Sequence, residues 1–86
     1  MQILTLDNGG ASLEFTARET PAVLESLKRA GAVRSEQGAC YDAFSLAGEQ
    51  IVFYFEWDEP CLIANTPGGV ALLRRLAADL DHLRAA

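Results

Sequence analysis

Two cysteines and one histidine are the side chains of this chain best suited to binding zinc, and the cysteine thiols are its strongest potential nucleophiles. Cys40, Cys61 and His82 form no C-x-x-C or similarly spaced pair, so the sequence predicts no metal site. In the strand register that the turns favour, the two cysteines lie two strand spacings apart, about 10 Å, whereas a disulfide needs Cα atoms within about 7 Å. No Lys or Arg close in sequence supplies the positive charge that a reactive thiol needs. We expect both thiols to be reduced and structural.

A histidine on the last predicted helix and a glycine-led helix start are the other candidate sites. His82 lies three and seven residues after Asp79 and Arg75, on the polar side, without the partner and cleft that a general base needs. Thr66-Pro67-Gly68-Gly69 could offer backbone N–H groups to an anion, but it lacks the lysine of a Walker loop, and its glycines equally suit close packing on a sheet. The sequence therefore predicts a protein that is no enzyme and has no cofactor. The alternative is a small-ligand-binding or enzymatic domain that uses Cys61, His82 or this helix start.

Charge is distributed unevenly along the chain. Twelve acidic and seven basic residues give a net charge of −5, which argues against a binder of nucleic-acid phosphates. Between Arg34 and Arg74 there is no Lys or Arg, and residues 35–73 carry a local charge of −6. The acids of this segment are Glu36, Asp42, Glu49, Glu56, Asp58 and Glu59. Such an asymmetry steers a basic partner, although a solvated face with acids that protect strand edges would show the same pattern.

Turn residues and alternating apolar residues predict a first hairpin. Asn8-Gly9 separates residues 2–6 from residues 11–16, and Asn-Gly is typical of a type I′ turn. With this pair at the tip, Leu6 would pair with Ala11 and Leu4 with Leu13. The register would place four apolar side chains on the buried face: Leu4, Leu6, Leu13 and Phe15.

A second hairpin and a third strand follow. Residues 41–46 and 50–57 flank Gly48-Glu49, a pair suited to a type II′ turn, and residues 61–65 continue after the turn at 58–60. The predicted pairs are Leu46 with Ile51 and Phe44 with Phe53, with Phe55 and Trp57 extending the inward face. The residues expected to point outward are Tyr41, Ala43, Val52 and Tyr54, with Glu56 and Ile63 beside them.

Two Thr-Pro pairs predict helix starts. Thr20-Pro21 begins a helix that Gly31 ends, and Thr66-Pro67 begins one that runs to about residue 84. A capping box at Thr16 and Glu19 would allow an earlier start, which Pro21 disfavours. The expected buried stripes are Val23, Leu24, Leu27 and Ala30 in the first helix, and Leu72, Leu73, Leu76, Leu80 and Leu83 in the second. Residues 32–39 are predicted as a loop.

These elements combine into one α+β domain over residues 1–86. The order ββαβββα gives an antiparallel sheet of about five short strands with two helices packed on one face. A chain of this size buries only about 60% of its surface, so association is a plausible source of added stability. No apolar run approaches the length of a membrane span, and no signal peptide is visible, which predicts a cytoplasmic protein. Its Ala-rich composition, with Arg used more than Lys, favours a bacterial source.

The open sheet face is the predicted functional surface. We expect a non-catalytic interaction module that forms a homodimer or binds a basic protein, and that contacts neither nucleic acid nor membrane. Small acidic immunity or antitoxin proteins act in this way against basic toxins, a likeness of character alone. The predicted surface residues are Tyr41, Val52, Tyr54, Glu56, Asp58, Glu59 and Ile63. The alternative is that the loop at 32–39 folds across this face.

Overall fold

A computed structural model describes residues 1–55 and 59–85, the last four of these by their backbone only. Within these residues the strands are β1 Gln2–Thr5, β2 Ala11–Glu14, β3 Val33–Gln37, β4 Tyr41–Leu46, β5 Glu49–Tyr54 and β6 Cys61–Ala64. The helices are α1 Thr20–Arg29 and α2 Pro67–Ala85, and a short 3₁₀ turn at Ala17–Glu19 precedes α1. One sheet, in the order β1-β2-β6-β5-β4-β3, has antiparallel neighbours throughout. The predicted two-layer α+β fold is confirmed, with six strands where about five were expected.

The core lies between the sheet and the two helices, on what we call the helix side of the sheet. Alternate strand residues point into it, because successive side chains of a strand face opposite ways. Its largest fully buried side chains are Leu13, Leu27, Ile51, Leu62, Leu73 and Val23. α2 packs on β1, β2, β5 and β6, and α1 packs against α2. The opposite side of the sheet, which no described helix covers, is called the outer face.

The sixth strand is β3, in the segment that the sequence predicted as a loop. It pairs with β4 at the sheet edge, with Arg34 opposite Phe44 and Gln37 opposite Asp42, and it bulges between Arg34 and Glu36. All five residues of β3 are exposed, so the strand has no alternation of apolar and polar residues to reveal it. The loop prediction was wrong, and this segment extends the sheet instead of folding across the outer face.

The first hairpin forms, but its register differs from the prediction by one residue. Leu6 N–H donates to the Gly10 carbonyl at 2.9 Å and Gly9 N–H donates to the Leu6 carbonyl at 3.1 Å, with Gly9 at φ 85°. These bonds describe a three-residue loop with glycine in the left-handed region, not a two-residue type I′ turn. Leu4 therefore pairs with Ser12 on the outer face, and Ile3 takes its place on the helix side.

The second hairpin turns one residue earlier than predicted. Ala47 and Gly48 both have positive φ, 52° and 79°, as a type I′ turn requires. Leu46 pairs with Glu49 and Phe44 with Ile51, so the predicted partners were wrong by two residues. An even shift leaves every side chain on its predicted face.

At its far end this hairpin departs from the prediction. Phe55 is 39% exposed, not buried, although its ring contacts that of Phe53 at 5.2 Å between centroids. Trp57, which was also predicted to point inward, lies outside the described residues. The inward face of the hairpin is thus confirmed only as far as Phe53.

Of the two start signals before α1, the capping box at Thr16 is used, and the predicted N-cap at Thr20 was wrong. The Thr16 hydroxyl accepts the Glu19 N–H at 3.3 Å and the Glu19 carboxylate accepts the Thr16 N–H at 2.9 Å, a complete capping box that opens the 3₁₀ turn. Thr20 already has helical dihedrals and does not cap α1. Gly31, at φ 98°, ends the helix, with Ala32 N–H bonded to the Leu27 carbonyl as in a Schellman motif.

α2 begins as the sequence predicts. The Thr66 hydroxyl accepts the Gly69 N–H at 3.0 Å, which makes Thr66 its N-cap. Leu73, Leu76 and Leu80 are buried, and Leu72 is half-buried. The side chain of Leu83 lies outside the described part of the chain.

Candidate interaction surface

The strand registers place two neighbouring rows of side chains across the outer face. The first row runs Leu4, Ser12, Ile63, Val52 and Ala43, and the second runs Glu14, Cys61, Tyr54 and Tyr41. Four of the predicted surface residues, Tyr41, Val52, Tyr54 and Ile63, are therefore adjacent. Sequence reasoning missed Leu4, because it placed the first hairpin out of register by one residue.

The two tyrosines form the end of the second row that is nearer β3. Tyr41 and Tyr54 are directly opposite each other on β4 and β5, with ring centroids 6.1 Å apart and planes tilted by 43°. The Tyr41 hydroxyl donates a 2.7 Å hydrogen bond to Glu36 Oε2. This bond and the charge of Glu36 raise the pKa of Tyr41 above its ordinary value. Tyr54 is 39% exposed, so the pair offers both ring area and a polar group to a partner.

Four of the five side chains in the first row are apolar, the exception being Ser12. Val52 and Ile63 are paired across β5 and β6, and both are half-buried. Ala43 and Ser12 are only 1% and 4% exposed although no described helix covers them, because their small side chains lie between larger neighbours. The apolar strip that this row offers to a partner therefore consists of Leu4, Val52 and Ile63, and apolar surface of this kind contributes the central area of a protein interface.

Acidic side chains flank this strip, and the outer face has no basic residue among the described residues. Arg34 is the one basic residue in the described strands, and its guanidinium lies on the helix side, 3.5 Å from Asp42 Oδ2 and 5.9 Å from the Phe44 ring centroid. Both flanking acids are exposed: Glu14 lies on β2, two residues from Ser12, and Glu36 lies on the edge strand β3 opposite Ala43. The face is therefore negatively charged.

A groove of about 630 Å³ opens beside Glu14 at the end of β2. Its lining includes the carboxyl-bearing residues Glu14, Glu19 and Glu59, with Phe15 among its apolar residues. The predicted surface residue Glu59 therefore lies in this acidic groove and not beside the tyrosines. Glu56 and Asp58, the other predicted surface acids, lie outside the described residues.

Two acids of residues 35–73, the segment without Lys or Arg, lie on the helix side of the sheet. Asp42 is buried, and its Oδ1 has no hydrogen-bond partner. Glu49 lies over the start of α2, where its Oε1 accepts a hydrogen bond from the Thr66 hydroxyl. Alternation along β4 could have placed Asp42 there, because it is two residues from the inward-facing Phe44.

Glu49 also bears on whether the start of α2, at Thr66-Pro67-Gly68-Gly69, can bind an anion. A Cβ on Gly68 would lie 2.8 Å from the Glu49 carboxyl carbon, and a Cβ on Gly69 would lie 2.9 Å from the Ala64 Cβ. The glycines thus permit close packing, and the negative charge of the Glu49 carboxylate beside Gly68 disfavours an external anion at this N-terminus. The side chain of His82 is outside the described part of the chain.

The thiols show no sign of activation. Cys40 is exposed, Cys61 is half-buried, and both are free. Burial raises the pKa of the Cys61 thiol, the Glu14 charge adds to the rise, and a hydrogen bond with Ser12 opposes it. Such a thiol holds less of the nucleophilic thiolate at neutral pH. The described residues contain no group of three or more His, Cys, Asp or Glu placed to hold a metal ion.

Comparison with known proteins gives no relative. No family model matches the chain, and neither a curated protein nor a solved structure matches it. Across the described residues, every helix is too short or too polar to cross a membrane. The function is therefore inferred from the surface itself.

Proposed function

We propose that this protein is a non-catalytic interaction module that binds a basic protein through the outer face of its sheet. The observation that carries the proposal is the combination on one face of the Tyr41–Tyr54 pair and an apolar strip flanked by the carboxylates of Glu14 and Glu36. Tyrosine is enriched at the centres of protein interfaces, and negative charge speeds encounter with a basic partner. The immunity-like or antitoxin-like character expected from the sequence belongs to this proposal.

A second copy of the chain is the other candidate partner, favoured by the apolar residues Val52 and Ile63 and by the small size of the domain. A twofold dimer would join the same face of both copies. It would also bring the acidic side chains of two outer faces near each other. Salt would then strengthen a homodimer by screening this repulsion, and would weaken a complex with a basic partner.

The chemistry of the other candidate sites supports a binding role over catalysis. The pKa of Cys61 is raised by burial, and Glu49 covers the start of α2. Both features disfavour the enzymatic alternative. Free cysteines support a reducing compartment such as the cytoplasm, and the Ala-rich composition, with Arg used more than Lys, supports a bacterial source.

The test is affinity capture from bacterial lysate with the immobilised protein, at low and high salt, followed by mass spectrometry. We expect a basic protein that salt releases, that Tyr54→Ala and Glu14→Gln each fail to retain, and that the control Glu25→Gln retains. Glu25 is an exposed acid on α1, so this control removes an equal charge away from the outer face. Equal capture by the wild type and Tyr54→Ala would contradict the proposal.

Light scattering across micromolar concentrations tests the homodimer separately. A dimer that high salt strengthens and Tyr54→Ala disrupts would identify the second copy as the occupant. A monomer under all conditions would exclude it.

A further inference from the structure

A groove between α1 and the β3 edge is independent of the outer face. α2 covers β1, β2, β5 and β6, whereas β3 is exposed along its whole length. Where the helices leave the sheet edge uncovered, a groove of about 240 Å³ remains on the helix side. Its lining is Leu24 and Lys28 of α1, Ala32 after the helix, Arg34 of β3 and Phe44 of β4.

This groove combines an apolar lining with two cations. Leu24 and Ala32 are half-buried, and the Phe44 ring is nearly buried. Lys28 and Arg34 supply the only charges in the lining. The Arg34 side chain is 52% exposed, and its ion pair with Asp42 at 3.5 Å leaves further guanidinium N–H donors for a ligand.

We propose that this groove binds a small organic carboxylate, with the apolar body against Leu24, Ala32 and Phe44 and the carboxylate between Lys28 and Arg34. The charge of the groove favours an anionic ligand, because both polar side chains of its lining are cations. These two cations lie together although the whole chain has a net charge of −5. The volume of the groove, about 240 Å³, limits the size of the ligand. A cavity of about 150 Å³ accepts benzene, and drug-sized ligands occupy about 300 Å³ or more, so a single ring or a branched aliphatic chain fits.

The probe is benzoate, compared with benzamide, which has the same ring and no charge. The full-length ¹⁵N-labelled protein is titrated with each compound to millimolar concentrations while amide chemical shifts are recorded. We expect saturable benzoate shifts at Lys28, Ala32 and Arg34, and much weaker binding of benzamide. Lys28→Gln and Arg34→Gln should each weaken benzoate binding about 3- to 10-fold, as for a partly exposed charge-assisted contact.

Arg29→Gln is the matched control, because it removes an exposed cation next to Lys28 that is not part of the groove lining. Its benzoate affinity should stay within about twofold of wild type, as expected for an exposed charge outside the contact. If Arg34→Gln unfolds through loss of its pair with Asp42, Lys28→Gln still gives the answer, because Lys28 is exposed. Equal shifts with benzamide, equal loss in Arg29→Gln, or no saturable shift would each overturn the proposal.

Discussion

The Glu49 carboxylate on β5 accepts a hydrogen bond from the hydroxyl of Thr66, which in turn accepts the N–H of Gly69 at the start of α2. A side chain from the sheet thereby fixes the N-cap of the helix that covers it. A carboxylate at this end also interacts favourably with the helix dipole. This contact links the turn at Ala47-Gly48, which sets the position of Glu49, to the packing of the longest helix.

The two Thr-Pro pairs should respond differently to mutation. Thr66→Ala removes a cap bond and should lower the free energy of unfolding by about 1 kcal/mol. Thr16→Ala should have a similar effect, because Thr16 forms the capping box before α1. Thr20→Ala is the control, and its effect should stay below about 0.5 kcal/mol, because the Thr20 hydroxyl makes only a long 3.5 Å hydrogen bond to the Thr16 carbonyl and does not cap α1. Urea unfolding of the three variants measures these values, and an equal loss at Thr20 would contradict the assignment of the caps.

Gly69 should not tolerate a side chain. A Cβ there would lie 2.9 Å from that of Ala64 on β6, so Gly69→Ala should destabilise the protein by about 1–3 kcal/mol through overpacking. Adding Ala64→Gly removes the opposing atom and should make the cost of Gly69→Ala smaller. A double-mutant cycle of thermal or urea unfolding measures the coupling, and strictly additive effects would show that the two atoms do not compete for space.

Tyr54→Ala should leave the fold intact and weaken association. Its ring lies on the outer face, so the loss in unfolding free energy should be at most about 1 kcal/mol, the scale of one cross-strand pair. Phe53→Ala, one residue away on the helix side, should cost about 3–5 kcal/mol. Circular dichroism with urea unfolding compares the two variants. Loss of the folded state in Tyr54→Ala would mean that the strand faces are reversed.

Tyr41 should ionise at a higher pH than an ordinary tyrosine. The Glu36 hydrogen bond and charge raise its pKa in the folded state above about 10, the usual value. Because the folded pKa is the higher one, this contribution to stability is complete below about pH 10 and is lost as the pH rises through the folded pKa. Ultraviolet titration in a Tyr54→Phe background isolates Tyr41. Glu36→Gln should move the titration back towards the usual value, and an unchanged titration would contradict the assigned cause.

The two cysteines should react at different rates. Cys40 is exposed, whereas Cys61 is half-buried and burial raises its pKa. At neutral pH a thiol reagent should therefore modify Cys40 first, and Cys61 more slowly than a free cysteine. Single Cys→Ser variants, followed by mass spectrometry over time, separate the two rates. Fast modification of Cys61 would favour the enzymatic alternative.

Glycine positions and apolar alternation predicted much of the fold. The second hairpin kept its faces although its turn moved by one residue, because a register change of two preserves the side of every residue. This is why Tyr41, Val52 and Tyr54 were correctly placed together. Thr66 and Gly31 act as predicted because caps depend on local hydrogen bonds and dihedral angles, which a sequence specifies directly.

The remaining errors arise where local sequence permits two structures. Asn8-Gly9 suits both a two-residue turn and a three-residue loop with Gly9 in the left-handed region, and the choice moved Leu4 to the outer face. β3 has no alternation of apolar and polar residues, because both of its faces are exposed at the edge of the sheet. The strand forms through its backbone pairing with β4. Tertiary pairing of this kind cannot be deduced from the segment alone.

The bulge between Arg34 and Glu36 has a consequence for assembly into fibrils. Endless edge-to-edge growth of sheets requires that each molecule offer two usable edges, one for the molecule before it and one for the molecule after it. The β3 edge is bulged and charged, features that discourage pairing with another strand. Only the β1 edge is then suited to such pairing, so two molecules joined through it would have no further edge to offer, and polymerisation would end at a pair.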